Sequence, residues 1–280
     1  MARFRYVIAD VFTGTPLTGN QLAVFTDARA IPEDRMQDIA REMNFSETVF
    51  VLPPDGDAHV RIRIFTPATE LPFAGHPTLG SAFVLAGPLQ LIEIRLETGI
   101  GVVPVRVERE GARISFGWMA QPIPTHEPYG DEAALLAALG VERSELPVEI
   151  YDNGPRHVFV RLGSPDNVAG VDPDMGALNR LGVLGASTFA GEGTRWKSRM
   201  FGPGLGVPED PATGSAAGPL GVHLLRHGQI ESGEEIEITQ GVEIQRPSTL
   251  YVRVKGTPDE IESVEVGGEA VIVANGELQL

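Results

Sequence analysis

The run Asp210-Pro211-Ala212-Thr213-Gly214-Ser215-Ala216-Ala217-Gly218 sets an acid, two hydroxyls and a glycine ahead of small, helix-compatible residues. Such a loop can aim the first N–H groups of a helix and a side-chain oxygen at a small anion, because those N–H groups lack partners inside the helix. Far upstream, Glu70-Leu71-Pro72-Phe73-Ala74-Gly75-His76-Pro77-Thr78-Leu79-Gly80 offers similar chemistry. There Gly75 precedes His76, and Pro77 sits where the start of a helix tolerates proline. Setting Gly75 against Gly214 places His76 opposite Ser215. Two helix entries of one kind, one per half, predict a duplicated architecture with a site between the halves.

A third segment, Asn44-Phe45-Ser46-Glu47-Thr48-Val49-Phe50, drops one carboxylate among aromatic and β-branched residues. At a strand edge Glu47 would be an ordinary solvated charge. In apolar surroundings it could serve as a general base that takes a proton and returns it. His76, Asp210 and Ser215, each read singly, are ordinary cap and turn residues. Glu47, His76, Asp210 and Ser215 together, at loop or strand ends in both halves, form a candidate site.

Other chemistries find no support. His223 and His227 are spaced i, i+4 like a metal pair, but no Glu follows the first His, and core packing or a helix end near Gly228 accounts for them. The glycines of Phe201-Gly202-Pro203-Gly204-Leu205-Gly206 do not spell a dinucleotide fingerprint, and no phosphate-binding Lys-Ser/Thr motif occurs. Ser215 directly follows Gly214, so this is no nucleophile elbow. The sequence therefore implies no metal and no cofactor.

The elements that must position these residues follow from periodicity. Tyr6 to Phe12 reads as a buried strand, and Met36, Ile39, Ala40 and Met43 recur at helical spacing behind Pro32-Glu33-Asp34. Val60, Ile62 and Ile64 alternate with Arg61 and Arg63, as in a half-exposed strand. Pro77 to Ala86 is apolar on nearly every side and predicts a buried helix. Gln121 to Pro128, with three prolines, is the linker candidate. A helix over 131–139, strands over 148–151, 157–162 and 195–201, a small-residue helix from about Ala216 to Arg226, and strands over 235–239, 250–254 and 264–266 complete the second half. The fold class is α+β: two similar domains, each a mostly antiparallel sheet wrapped around a central helix. The boundaries fall at 1–118, completed by a C-terminal strand at about 268–280, and at 119–267.

The 280 residues suffice for two such domains. A net charge of −16 argues against nucleic acid or an anionic membrane as partner. No apolar run approaches a membrane span and no signal peptide opens the chain, so a cytoplasmic protein acting on a small molecule is expected. With no cysteine, disulfides, zinc-thiolate sites and thiol nucleophiles are excluded.

Asp10-Val11-Phe12 with Thr18-Gly19-Asn20, then Asn44–Thr48, Glu70–Gly80 and Asp210–Gly218, resemble the signature blocks of the phenazine-biosynthesis PhzF family, in order and over essentially the whole chain. The resemblance implies the diaminopimelate-epimerase-like fold, a homodimer, and a cofactor-independent isomerase acting on trans-2,3-dihydro-3-hydroxyanthranilate. Glu47 then matches the family's proton carrier, moving a proton from C3 to C1. His76, Asp210 and Ser215, with Gly75, Gly214 and Ser46 beside them, match the substrate-binding residues. Epimerase and racemase relatives of that fold use two opposed cysteines, and here those loop positions carry His76 and Ser215. Two alternatives stand beside this reading: an isomerase or epimerase of another amino-acid-like metabolite, and a non-catalytic metabolite-binding protein.

Overall fold

The computed structural model describes residues 2–182 and 185–280. They divide into two compact units, one comprising the chain up to Ala120 together with Gly267–Leu280, the other Gln121–Val266. Both are α+β.

The first unit opens with the antiparallel strands β1 (Arg3–Val11) and β2 (Asn20–Phe25). Helix α1 (Glu33–Met43) carries Glu33 and Asp34 in its first turn, where the helix dipole favours them, and buries Met36, Ile39 and Ala40. It stops at Asn44, whose φ of 53° is a left-handed conformation that asparagine tolerates; the Asn44 N–H closes on the Ala40 carbonyl. Strand β3 (Glu47–Leu52) follows, parallel to β2, and β4 (Val60–Phe65) runs antiparallel to β3. In β4, Ile62 and Ile64 are buried while Arg61 and Arg63 pair with Asp55 and Glu70. After the short β5 (Glu70–Leu71) comes helix α2 (Gly75–Leu89). Then β6 (Glu93–Thr98) lies parallel to β4, and β7 (Gly101–Glu110) and β8 (Arg113–Gln121) extend the sheet antiparallel. The last strand of the chain returns to pair antiparallel with β1.

Helix α2 touches β1, β2, β3, β6 and β7 as well as that last strand, and every residue from Gly75 to Val84 is buried. A helix with no polar face can be stable only inside such a wrap. Gly80 marks its closest approach: a Cβ there would lie 2.6 Å from the side chains of both Val11 and Leu22.

The second unit begins with β9 (Thr125–Pro128), paired antiparallel with β10 (Glu149–Asp152) beyond helix α3 (Glu132–Leu139). The proline-rich stretch expected as a linker thus supplies a strand. Proline is tolerated there because β9 is short, exposed and ends on Pro128. Next come β11 (Arg156–Arg161), helices α4 (Pro165–Ala169) and α5 (Met175–Arg180), β12 (Gly185–Glu192), β13 (Arg195–Gly202) and β14 (Val207–Asp210). The central helix α6 (Gly214–Arg226), buried from Gly214 to Leu225, precedes β15 (Glu235–Gln240), β16 (Ser248–Gly256), β17 (Ile261–Gly268) and β18 (Ala270–Gln279), the strand already met beside β1.

The pairing pattern of the two units is the same. β18, β1, β2, β3, β4, β6 and β7 are joined in turn by antiparallel, antiparallel, parallel, antiparallel, parallel and antiparallel ladders. β9, β10, β11, β12, β13, β15 and β16 are joined by the same series. In each unit the central helix is inserted before the fifth of these ladders.

Candidate active site

In the first unit the site is built where the N-terminal ends of β2, β3 and α2 converge. Glu47 is the first residue of β3, directly after the bend at Phe45 and Ser46, and pairs with Leu22 of β2. Ser46 itself is half-buried. His76 is the second residue of α2, whose entry residue Ala74 gives no side-chain cap. Helix α2 starts at Gly75, so Pro77 falls third in the helix, still within the turn whose N–H groups have no internal partner. Glu47 is 9% exposed and His76 2%.

His76 Nδ1 lies 3.2 Å from Glu47 Oε2 and 3.2 Å from Asn20 Nδ2, while Nε2 lies 3.3 Å from the Gln21 carbonyl. Burial holds the imidazole neutral, its pKa pushed down to about 3 despite the opposing hydrogen bond to Gln21, so the contact with Glu47 is not an ion pair. The tautomer follows. A carbonyl only accepts, so Nε2 carries the hydrogen and Nδ1 offers a lone pair. Asn20 donates to that lone pair, and a proton on Glu47 Oε2 would find the same acceptor. The arrangement can therefore take a proton onto a carboxylate and hold it there.

In the second unit Thr213, at the entry of α6, does not cap the helix. Its Oγ1 donates to Asp210 Oδ2 at 2.6 Å, and its backbone N–H donates to Gln240 Oε1 at 3.2 Å. Gln240 Nε2 completes the loop, donating to the Asp210 carbonyl at 2.8 Å. Asp210 is 4% exposed. Gly214 and Ser215 are the first two residues of α6, a little earlier than the sequence pattern placed the helix. The Gly214 carbonyl accepts from Gln121 Nε2 at 2.8 Å and the Ser215 carbonyl from Asn153 Nδ2 at 3.0 Å. The second of these has a covalent cause. The residue four beyond Ser215 is Pro219, which has no N–H to give, so Asn153 supplies the missing donor. Ser215 Oγ lies 3.2 Å from His157 Nε2.

The common ladder series equates these two clusters. Asn20 of β2 reaches the second residue of α2, and His157 of β11 reaches the second residue of α6. Two residues farther along, Leu22 pairs with Glu47 and Phe159 with Ser187. Ser187 thus stands in the second unit where Glu47 stands in the first. One unit presents a carboxyl and a neutral imidazole, the other two hydroxyls and a neutral imidazole.

Glu47 and His76 are brought together in the first unit; Asp210, Gly214 and Ser215 share the α6 entry in the second. Asn20, Gln21, Gln121, Asn153 and His157 had no part in the expected site. Asn20 sits in a segment that carries the family resemblance, but nothing in periodicity reveals Asn153, a buried asparagine serving a proline-broken helix.

Glu149, His223 and His227 bring three ligand-type atoms within 4.8 Å of one another in the second unit. Arg226 Nη1 already occupies the shared carboxylate oxygen, at 2.7 Å from Glu149 Oε2, and Tyr151 donates its hydroxyl to the same atom at 2.8 Å. Although burial opposes ionisation, donors from His223, His227, Arg226 and Tyr151 hold the Glu149 carboxyl well below the usual carboxylate range. A guanidinium thus supplies the positive charge, which fits a structural network better than a metal site.

No described helix is long and apolar enough to cross a membrane. Residues 9–276 match the family described as phenazine biosynthesis-like protein. The chain is 50% identical to trans-2,3-dihydro-3-hydroxyanthranilate isomerase of Pseudomonas aeruginosa, over 99% of both chains. Its fold is similar to that of a Bacillus anthracis phenazine biosynthesis protein of the PhzF family, at 26% identity, TM-score 0.86 and complete coverage of both chains. A hydroxyproline epimerase from Agrobacterium vitis, only 11% identical, shares the fold at TM-score 0.70 over 99% of this chain and 92% of its own. On these matches the chain belongs to the phenazine biosynthesis-like protein family.

Proposed function

We propose that the protein is an isomerase of trans-2,3-dihydro-3-hydroxyanthranilate, acting without a cofactor, as a cytoplasmic homodimer. The substrate assignment is supported by the 50% identity to the Pseudomonas aeruginosa isomerase over nearly the full length of both chains. The observation that carries the mechanism is the contact of Glu47 Oε2 with the neutral His76 imidazole.

Glu47 as carboxylate removes the proton from C3 of the dihydro ring. The electron pair released at C3 shifts through the conjugated diene, and protonated Glu47 returns its proton at C1 on the same face. The product enol relaxes to a ketone. Between the two steps the Glu47 O–H donates to His76 Nδ1, whose orientation is fixed by the Nε2–H bond to the Gln21 carbonyl. Positioned acid–base catalysis of this kind is worth about 10²–10⁴ in rate, and orientation of the substrate must contribute the rest. Gly75, Gly214 and Ser215 supply helix-entry donors for the substrate carboxylate, with Ser46, His76 and Asp210 orienting its amino and hydroxyl groups.

A single carrier agrees with the unequal clusters. The counterpart of Glu47 is Ser187 and that of His76 is Ser215, so the second unit holds no carboxyl at the position equivalent to Glu47. The test is turnover: purified protein mixed with the dihydro-hydroxyanthranilate, followed by proton NMR, should consume the diene and C3–H signals. No consumption would reject this substrate and favour another amino-acid-like metabolite.

A further inference from the structure

Ser215 has a hydroxyl that its helix does not use. It is the second residue of α6, while the entry position belongs to Thr213. Both of its polar handles are gripped from the β10–β11 hairpin. Asn153, in the turn just after β10, holds its carbonyl, and His157 of β11 lies against its Oγ. Ser215 is 5% exposed, His157 2% and Asn153 4%. Nothing among the described residues bonds to His157 Nδ1, although that atom is buried. The reason is local. Gly185 of β12 is the backbone partner of His157, and a Cβ at Gly185 would lie 2.6 Å from Nδ1. The ring edge therefore packs on bare main chain.

Two tautomers are open to a neutral imidazole. With the hydrogen on Nδ1, a buried donor would be orphaned, and the Ser215 O–H would be spent on Nε2. With the hydrogen on Nε2, only a lone pair is left without a partner, and Ser215 Oγ accepts. Orphaned buried donors are the rarer of the two faults. Burial keeps the ring neutral, its pKa pushed down to about 4, so a doubly protonated ring does not enter.

We propose that His157 is a positioning residue: its Nε2–H holds Ser215 Oγ and turns the Ser215 O–H outward as a donor for a carboxylate oxygen of the substrate. The proposal rests on the reading of Ser215 as a carboxylate-binding residue. A serine hydroxyl left to rotate would divide its time between orientations. One whose oxygen already accepts from a fixed imidazole has its hydrogen free for the ligand. The grip on the Ser215 carbonyl by Asn153 holds the residue still while this happens. In the first unit the imidazole and the helix residue exchange places: His76 is on the helix and Asn20 on the strand.

Two measurements test this. The first uses the unaltered protein: nitrogen-15 NMR of the histidine rings at pH 7 should show His157 with Nε2 protonated and Nδ1 bare. The opposite tautomer would overturn the proposal. The second is a binding series with anthranilate as the carboxylate probe and 2-aminophenol as the probe without one. Ser215→Ala and His157→Phe should each weaken anthranilate roughly tenfold or more, and the double variant no further, as expected for loss of one charge-assisted hydrogen bond. His157→Gln, which keeps an N–H donor, should recover most of the affinity, and 2-aminophenol binding should stay unchanged throughout. Equal weakening of both probes by His157→Phe, or additive losses in the double variant, would overturn the proposal in favour of a packing role. If Ser215→Ala leaves anthranilate affinity intact, the carboxylate role of Ser215 itself fails, an outcome distinct from failure of His157 alone.

Discussion

His76 Nδ1 stands 3.2 Å from Glu47 Oε2, and the hydrogen on the far side of the ring is committed to the Gln21 carbonyl. Nδ1 is thus an acceptor aimed at the carboxyl that is to carry the proton. Such an acceptor stabilises the loaded form of Glu47 and orients it. His76→Phe, which removes the lone pair but keeps a ring, should lower kcat by about tenfold or more with a smaller change in KM. A purely structural role would instead show as a lowered melting temperature with kcat preserved in the folded fraction.

Because burial holds His76 near 3, its imidazole does not titrate in the working range. The pH profile of kcat/KM should therefore show no limb removed by His76→Gln between pH 5 and 8. Loss of such a limb in the variant would show that the ring charges during turnover and would contradict the neutral tautomer.

Folding stability should depend on pH through the same rings. His76 and His157 are pushed down to about 3 and about 4, and burial also lowers His223. In the unfolded chain all three titrate near 6.5. Above about pH 6.5 both states are neutral and stability is full. As the pH falls toward 4 the unfolded chain takes up protons that the folded one refuses, so stability is lost. His76 and His157 alone give a slope approaching roughly 3 kcal/mol per pH unit. Urea midpoints measured from pH 7.5 to 5 should fall accordingly, and a flat series would contradict the buried neutral rings.

Pro219 and Asn153 should be coupled. Pro219 cannot bond to the Ser215 carbonyl, and Asn153 Nδ2 does so at 3.0 Å. Asn153→Ala should cost about 1–3 kcal/mol by orphaning that buried carbonyl. In a Pro219→Ala background, where the helix regains its own N–H, the same change should cost measurably less. Equal costs in the two backgrounds, measured by chemical denaturation, would show that Asn153 is not standing in for the missing donor.

The Glu149 network should be structural. Glu149→Ala strands Arg226 among buried partners and should cost about 3–5 kcal/mol in stability. Turnover of the folded fraction by the variant should remain near that of the unaltered protein. A thousandfold loss of kcat in a folded variant would move this cluster into the mechanism.

Much of this was legible in the sequence. The apolar run behind Gly75 could only be a wrapped helix, and the alternation of Val60 to Ile64 gave β4 its faces. Glu47, His76, Asp210 and Ser215, each an ordinary strand-edge, cap or turn residue when read singly, stood out only in combination and through the family resemblance. Strand β12 could not be read: Gly185 to Glu192 is rich in small and polar residues, and its first six are buried, so no alternation survives. Nor could β9, since prolines at both its ends imitate a linker. The supporting polar residues were hidden for a related reason. Asn20, Gln121, Asn153 and His157 act through contacts spanning 32 to 93 positions, and such pairings are set by sheet register, which local patterns do not encode. Equating Ser187 with Glu47 required the ladders of both units.

The most direct test of Glu47 as proton carrier is the turnover rate of Glu47→Gln on trans-2,3-dihydro-3-hydroxyanthranilate. The amide keeps the size of the side chain and can still donate to His76 Nδ1, so the fold and substrate binding should persist. A loss of about 10³ or more in kcat, with thermal stability and anthranilate affinity unchanged, is expected. Turnover by a folded Glu47→Gln protein at the rate of the unaltered one would contradict it.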